Sequence, residues 1–128
     1  MARILIIDDD EQVRSVLQKM LVRAGYEVVS AANGKQGIRI FNENPTDLVI
    51  TDILMPVMPG SRLITNLREE HPNVKIIAIS GGGSMHQPDS YLTLASDLGA
   101  QRILAKPIKY ANLIAAVSET LADMYTSS

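Results

Sequence analysis

Carboxylate, hydroxyl and ammonium side chains stand at or just after the ends of short apolar runs in this chain. Asp8 and Asp9 follow the first run, Asp52 closes the third, Ser80 ends the fourth and Lys106 follows the fifth. Mg²⁺ prefers oxygen ligands, and a carboxylate can act as a nucleophile. A carboxylate cluster beside a lysine therefore predicts a magnesium-dependent phosphoryl site, provided that folding brings these residues together.

The apolar runs alternate with helical patterns, which is the signature of βα units around a parallel sheet. The predicted strands are Arg3–Ile7, Glu27–Ser30, Leu48–Thr51, Val74–Ser80 and Arg102–Ala105. Most of them are almost entirely apolar, as expected for strands buried on both faces. We predict an α/β fold of the flavodoxin-like, doubly wound (βα)5 type, with a five-stranded parallel sheet in the order 2-1-3-4-5. Sites in such sheets form where the strand order reverses, which here lies between the first and third strands.

Apolar residues at helical spacing predict a helix after each strand. The first is marked by Val13 to Leu21, the second runs from Lys35 to Asn44, the third is marked by Leu63 to Leu67, the fourth opens at Pro88 and ends at Gly99, and the fifth is marked by Leu113 to Leu121. We find no internal repeat and no linker between domains. The sequence therefore predicts a single domain over residues 1–128.

The composition narrows the classes of function. The chain has 128 residues, of which 46% are hydrophobic and 20% charged, and its net charge of −2 favours binding to neither nucleic acid nor a membrane surface. It has no cysteine, which excludes disulfides, zinc–thiolate sites and thiol catalysis. No stretch approaches the roughly 20 apolar residues needed to span a bilayer, and no signal-peptide pattern is present. We expect a cytoplasmic protein.

The roles of the candidate site residues follow from their chemistry. Clustered carboxylates repel one another unless a cation lies between them. We assign Asp9 and Asp52 as direct magnesium ligands, Asp8 as a direct or water-mediated ligand, and the backbone carbonyl of Leu54 as a further ligand. Asp52 is expected to attack a phosphoryl group and form an acyl phosphate, while Lys106 pairs with a phosphoryl oxygen.

The chain resembles the receiver domains of two-component response regulators over essentially its full length. The matching elements are Asp8-Asp9, Asp52 with Met55-Pro56 and Met58-x-Gly60, Ser80, and Lys106-Pro107. The resemblance implies a phosphoacceptor at Asp52, supplied by a sensor histidine kinase or a phosphotransfer protein. It also implies dependence on Mg²⁺, a switch role for Ser80 and a cis peptide bond before Pro107.

The resemblance further implies an output surface formed by the fourth helix, fifth strand and fifth helix. That surface would act on a downstream protein target or an output domain, and in this family it can form a dimer on phosphorylation. Two features depart from the usual pattern of the family. Ile103 stands where receivers often carry an aromatic residue, and the loop over residues 81–87 is longer and richer in glycine than usual.

We therefore expect a phosphoacceptor signalling switch that turns over no diffusible substrate. One alternative is a pseudo-receiver, an interaction module that is not phosphorylated, although the intact set of Asp9, Asp52 and Lys106 argues against it. Another is a magnesium-dependent phosphatase with an aspartyl nucleophile. Such phosphatases generally need a second acid two residues after the nucleophile, where this chain has Leu54. The acidic run could also simply cap the first helix, which is the role that we expect for Asp10.

Overall fold

The fold is built around one parallel β-sheet. In the computed structural model, which describes residues 1–53, 55, 58–81, 97 and 99–123, the strands are β1 (Arg3–Ile7), β2 (Glu27–Ala31), β3 (Leu48–Asp52), β4 (Ile76–Ser80) and β5 (Arg102–Ala105). The sheet has the order β2-β1-β3-β4-β5, and every pairing is parallel. The predicted flavodoxin-like order is confirmed, and β1 lies beside β3 where the strand order reverses.

Helices cover the sheet, and capping side chains mark the start of the first two. They are α1 (Glu11–Arg23), α2 (Gly34–Glu43), α3 (Gly60–Glu70) and the C-terminal helix (Tyr110–Ala122). The Asp10 carboxylate accepts hydrogen bonds from the amides of Gln12 and Val13, which confirms the predicted cap of α1. Asn33 caps α2, so this helix begins at Gly34, one residue before the predicted start. The predicted fourth helix falls mainly on residues outside the described part of the chain.

Three strand ends differ from the prediction for reasons of pairing, beginning with that of β2, which extends to Ala31. β3 extends to Asp52, because Asp52 is in register with Ile79 of β4 and the next amide, that of Ile53, donates to the Ile79 carbonyl. β4 begins at Ile76, later than predicted. The Val74 amide instead donates to the His71 carbonyl in a turn. The acidic side chain of Asp52 is therefore carried by a paired strand rather than by a loop.

Each face of the sheet has its own hydrophobic core, since successive side chains of a strand point to opposite faces. Leu5 and Ile7 pack on the face that carries α2 and α3, whereas Ile4 and Ile6 pack on the face of α1 and the C-terminal helix. All four side chains have no exposed surface. This confirms that β1 is buried on both faces, and it leaves the carboxyl ends of the strands as the place for polar residues.

Candidate functional site

Four of the predicted site residues lie together at the carboxyl edge of the sheet. Asp8 and Asp9 follow β1, Asp52 closes β3 and Lys106 follows β5. Ser80 closes β4 at the same edge, and its carbonyl accepts a hydrogen bond of 3.0 Å from the Lys106 amide. The site is therefore assembled from the ends of parallel strands, as the fold predicts.

Three carboxylates converge at this edge. One ligand oxygen from each of Asp8, Asp9 and Asp52 lies within 4.8 Å of the others. Asp8 and Asp52 are buried, with 1% and 5% of their surface exposed, whereas Asp9 is exposed. Burial raises the pKa of Asp8 above its ordinary value, and the negative charges of Asp52 and Asp9 add to that increase. The opposing hydrogen bond from the Asp10 amide and the charge of Lys106 only partly offset it.

Lys106 supplies the positive charge of the site. Its Nζ lies 3.1 Å from Oδ2 of Asp52 and 3.7 Å from Oδ2 of Asp8. Burial alone would lower the pKa of this ammonium group, but the hydrogen bond and charge of Asp52, with the charge of Asp8, raise it above its ordinary value. Lys106 is therefore a permanent cation at neutral pH, placed to contact an anion that binds at Asp52.

The donor set fits a hard divalent cation. Oδ1 of Asp8 accepts a hydrogen bond of 2.9 Å from the Asp10 amide. Oδ2 of Asp8 is buried and accepts no hydrogen bond from the residues that the structure describes. A buried carboxylate oxygen in this state is costly, and a metal ion would satisfy it. Leu54, whose carbonyl is the other predicted ligand, lies outside the described residues.

After Asp52 the chain turns back, so that Gly60 lies close to the backbone that follows β3. The Gly60 amide donates to the Ile53 carbonyl at 2.7 Å, just where α3 begins. A Cβ atom on Gly60 would lie 2.5 Å from the Asp52 carbonyl oxygen, which leaves room only for glycine. The close approach accounts for the glycine of the Met58-x-Gly60 element and fixes the backbone next to Asp52.

Arg14 is a residue near the site that the sequence reasoning missed. Its Nη1 atom donates a hydrogen bond of 2.7 Å to the backbone carbonyl of Asp8. The sequence did contain a signal for this contact. Side chains of a helix lean toward its N-terminus, and Arg14 lies in the first turn after the Asp10 cap. An arginine at this position reaches back toward the acidic segment.

A model of the response regulator receiver domain family matches residues 4–118. The chain belongs to this family. It is 33% identical over 120 residues to the chemotaxis protein CheY of Bacillus subtilis, which covers 93% of the chain and 97% of CheY. A receiver domain protein of Clostridium thermocellum has a similar structure, with a TM-score of 0.87, 30% identity and complete coverage of both chains.

A further solved structure is that of the response regulator TrrA of Thermotoga maritima in complex with Mg²⁺-BeF. It has a TM-score of 0.82 and 29% identity, and the match covers 94% of this receiver domain and 99% of TrrA. Other curated relatives are longer transcriptional regulatory proteins, and the receiver domain spans about a quarter to a half of their length.

The structure also bears on two other expectations, the cis peptide bond before Pro107 and the lack of a membrane-spanning stretch. The peptide bond between Lys106 and Pro107 is cis, as the family resemblance implied. None of the helices in the described ranges combines the length and the apolar character needed to cross a bilayer.

Proposed function

We propose that this receiver domain is the phosphoacceptor switch of a two-component phosphorelay, with Asp52 as the acceptor and Mg²⁺ as the cofactor. The observation that carries the proposal is the position of Lys106 Nζ, 3.1 Å from Asp52 Oδ2, beside three carboxylates whose ligand atoms lie within 4.8 Å of one another. A permanent cation at the acceptor carboxylate is suited to contact a phosphoryl oxygen as charge develops on it.

In the proposed reaction Asp52 is the nucleophile. One carboxylate oxygen forms a bond to phosphorus while the bond between phosphorus and the donor breaks, and the electron pair of that bond leaves with the donor group. The donor is a phosphohistidine of a sensor histidine kinase or a phosphotransfer protein, so the leaving group is imidazole. The product is an acyl phosphate on Asp52, with one phosphoryl oxygen paired to Lys106.

The acidic residues would hold the metal ion. Asp9 and Asp52 are the proposed direct ligands, Asp8 binds directly or through water, and the Leu54 carbonyl is a further ligand. When bound, Mg²⁺ offsets the negative charge of the carboxylates and of the incoming phosphoryl group. The complex of the relative TrrA with Mg²⁺-BeF supports this choice of metal.

The output step is proposed from the position of Ser80 and from the family. Phosphorylation adds about −1.5 to −2 charge and new acceptor oxygens at Asp52. Ser80 closes the strand next to β3 and is the proposed hydroxyl that responds to the new charge and oxygens.

We assign the output to the surface formed by the fourth helix, β5 and the C-terminal helix. That surface would act on a downstream protein or output domain, or it would form a phosphorylation-dependent dimer. The family match over residues 4–118 supports one receiver domain across residues 1–128.

Intact-mass measurement after incubation with acetyl phosphate tests the proposal. The unmodified protein should gain one phosphoryl group in the presence of Mg²⁺ and none without it. Asp52→Asn should abolish the adduct. Asp47→Asn is the matched control, because Asp47 lies just before β3, away from the acidic cluster. Its Oδ2 accepts a hydrogen bond from the Arg3 amide, a role that an amide oxygen can keep.

The outcomes separate the proposed function from the pseudo-receiver alternative. An adduct that requires both Asp52 and Mg²⁺ supports the phosphoacceptor switch. An adduct that persists in Asp52→Asn contradicts the assignment of Asp52. If neither acetyl phosphate nor a phosphohistidine donor gives an adduct, the domain is a pseudo-receiver that acts by protein contact alone.

A further inference from the structure

We infer that Arg14 is a positioning residue that presents Asp9 to the metal ion; the inference rests on the proposed function. Arg14 is half-buried in the first turn of α1, and its Nη1 atom donates to the Asp8 carbonyl oxygen at 2.7 Å. That distance is typical of a short, charge-assisted hydrogen bond. The contact lies on the backbone between the two acidic residues rather than on either carboxylate.

The hydrogen bond fixes a peptide plane. The Asp8 carbonyl belongs to the planar peptide unit that joins Asp8 to Asp9, so holding its oxygen also sets the direction in which the chain enters Asp9. The flanking atoms are held by other partners: the Asp8 amide donates to the Ala31 carbonyl at 3.2 Å, and the Asp10 amide donates to Asp8 Oδ1 at 2.9 Å. Arg14 is thus the side chain that holds the carbonyl between them.

Asp9 depends on this backbone support more than its neighbours do. Asp8 and Asp52 are buried, and each interacts with Lys106, whereas Asp9 is exposed. Its carboxylate makes no hydrogen bond with the residues described here, although one oxygen lies within 4.8 Å of the other two ligand atoms. Its position in the cluster must therefore come from the backbone, which Arg14 fixes.

Charge and positioning predict effects of opposite sign, which makes the inference testable. A cation close to a metal site repels Mg²⁺, so removing the charge of Arg14 would by itself strengthen Mg²⁺ binding. Removing its hydrogen bond would loosen the Asp8–Asp9 peptide and weaken binding. Partners that orient metal ligands typically contribute about 10- to 100-fold in affinity. For a ligand held through its backbone we expect a loss on the order of 10-fold.

The experiment compares Mg²⁺ affinity, measured by titration calorimetry, in Arg14→Gln, Arg14→Lys and the control Lys19→Gln. Lys19 lies on the exposed side of the same helix, and its side chain hydrogen-bonds to no other described residue, so its variant removes a charge without removing a contact. Arg14→Lys keeps the charge but not the planar guanidinium. Circular dichroism and the thermal midpoint confirm that each variant is folded.

A readout without metal accompanies the titration. The Asp10 amide, which is bonded to Asp8 Oδ1, should exchange its hydrogen faster in both Arg14 variants than in the unmodified protein and in Lys19→Gln. The expected result is an affinity lowered about 10-fold in Arg14→Gln, lowered less in Arg14→Lys, and unchanged or slightly higher in Lys19→Gln.

Two results would overturn the inference. If Arg14→Gln binds Mg²⁺ as tightly as Lys19→Gln, or more tightly, Arg14 acts through its charge alone. Unchanged exchange of the Asp10 amide in both Arg14 variants would likewise show that the segment is held without Arg14. A lack of Mg²⁺ binding by the unmodified protein is a different failure, because it would overturn the proposed function and this inference with it.

Discussion

Asp8, Asp52 and Lys106 form a small charged unit at the carboxyl edge of the sheet. Lys106 lies closer to Asp52 than to Asp8, at 3.1 Å against 3.7 Å. The ammonium group therefore partly neutralises the proposed acceptor, while one oxygen of Asp8 is left without a hydrogen bond from any described residue. This division is suited to a site in which a metal ion satisfies Asp8 and an incoming phosphoryl group contacts Lys106.

At the residue scale, Lys106→Ala should slow formation of the adduct with acetyl phosphate by about 100-fold, the usual cost of losing one donor that contacts developing charge. Intact-mass time courses at saturating Mg²⁺ would measure the rate. The matched control is Lys109→Ala, which removes the same charge from an exposed position three residues later. Equal rates in the two variants would contradict the role proposed for Lys106.

The elements of the fold hold the site through close backbone contacts and through contacts between strands and helices. Gly60 lets the first residue of α3 touch the backbone that follows β3. On the opposite side of the sheet, Arg102 of β5 donates to Asp123 at 2.7 Å and to Thr120 at 2.8 Å. These hydrogen bonds hold the end of the C-terminal helix against β5, the strand that precedes Lys106.

Gly60→Ala should lower the free energy of unfolding by about 1–3 kcal/mol, because the added methyl group overlaps the backbone of Asp52 and Ile53. Denaturant titration would measure it. Gly81→Ala adds the same methyl group where no atom of the described residues lies within 4 Å, and it should leave stability nearly unchanged. A similar loss in both variants would contradict the close approach at Gly60 as the cause of the destabilisation, because the lower entropy of the unfolded chain favours alanine at both positions.

The contact between Arg102 and Asp123 predicts a pH dependence. The hydrogen bond from Arg102 lowers the pKa of Asp123 below its ordinary value. The ionised carboxylate therefore stabilises the fold above the ordinary pKa of aspartate, about 3.9, and this contribution is lost as the pH falls through the lowered pKa. Asp123→Asn should lower Tm at pH 7.

The difference in Tm between Asp123→Asn and the unmodified protein should shrink as the pH falls below about 4. Glu119→Gln, which changes an exposed carboxylate on the same helix, is the control and should show little change in Tm at either pH. A difference for Asp123→Asn that stays constant down to acidic pH would exclude titration of Asp123 as its cause.

For the whole molecule, the two cores and the shared sheet link the acidic site to global stability. β1 contributes Leu5 and Ile7 to one core and Ile4 and Ile6 to the other, and it leads directly to Asp8. A ligand that binds the folded site and not the unfolded chain therefore stabilises the entire domain.

Mg²⁺ at 100 times its dissociation constant should raise the free energy of unfolding by about 2.7 kcal/mol. Thermal melts with increasing MgCl₂, against NaCl at the same ionic strength, would measure the accompanying rise in Tm. Asp9→Asn removes one proposed ligand and should show a much smaller rise. An equal rise in Asp9→Asn would exclude Asp9 as a ligand.

The sequence by itself determined the alternation of strands and helices, the burial of β1 on both faces and the membership in the receiver family. These properties depend on local patterns: apolar runs mark buried strands, and Asp10 before a helical run marks a cap. The same patterns placed Asp8, Asp9, Asp52 and Lys106 at strand ends, which meet at one edge of a parallel sheet.

Only the tertiary structure decided how those residues meet. The hydrogen bond between Lys106 and Asp52 joins positions that are 54 residues apart, and its length depends on the register of three neighbouring strands. The inclusion of Asp52 in β3 likewise depends on pairing with β4. The bond from Arg14 to the Asp8 carbonyl requires the turn between β1 and α1 to have one particular backbone geometry. Such distances arise from packing in three dimensions, which apolar periodicity does not encode.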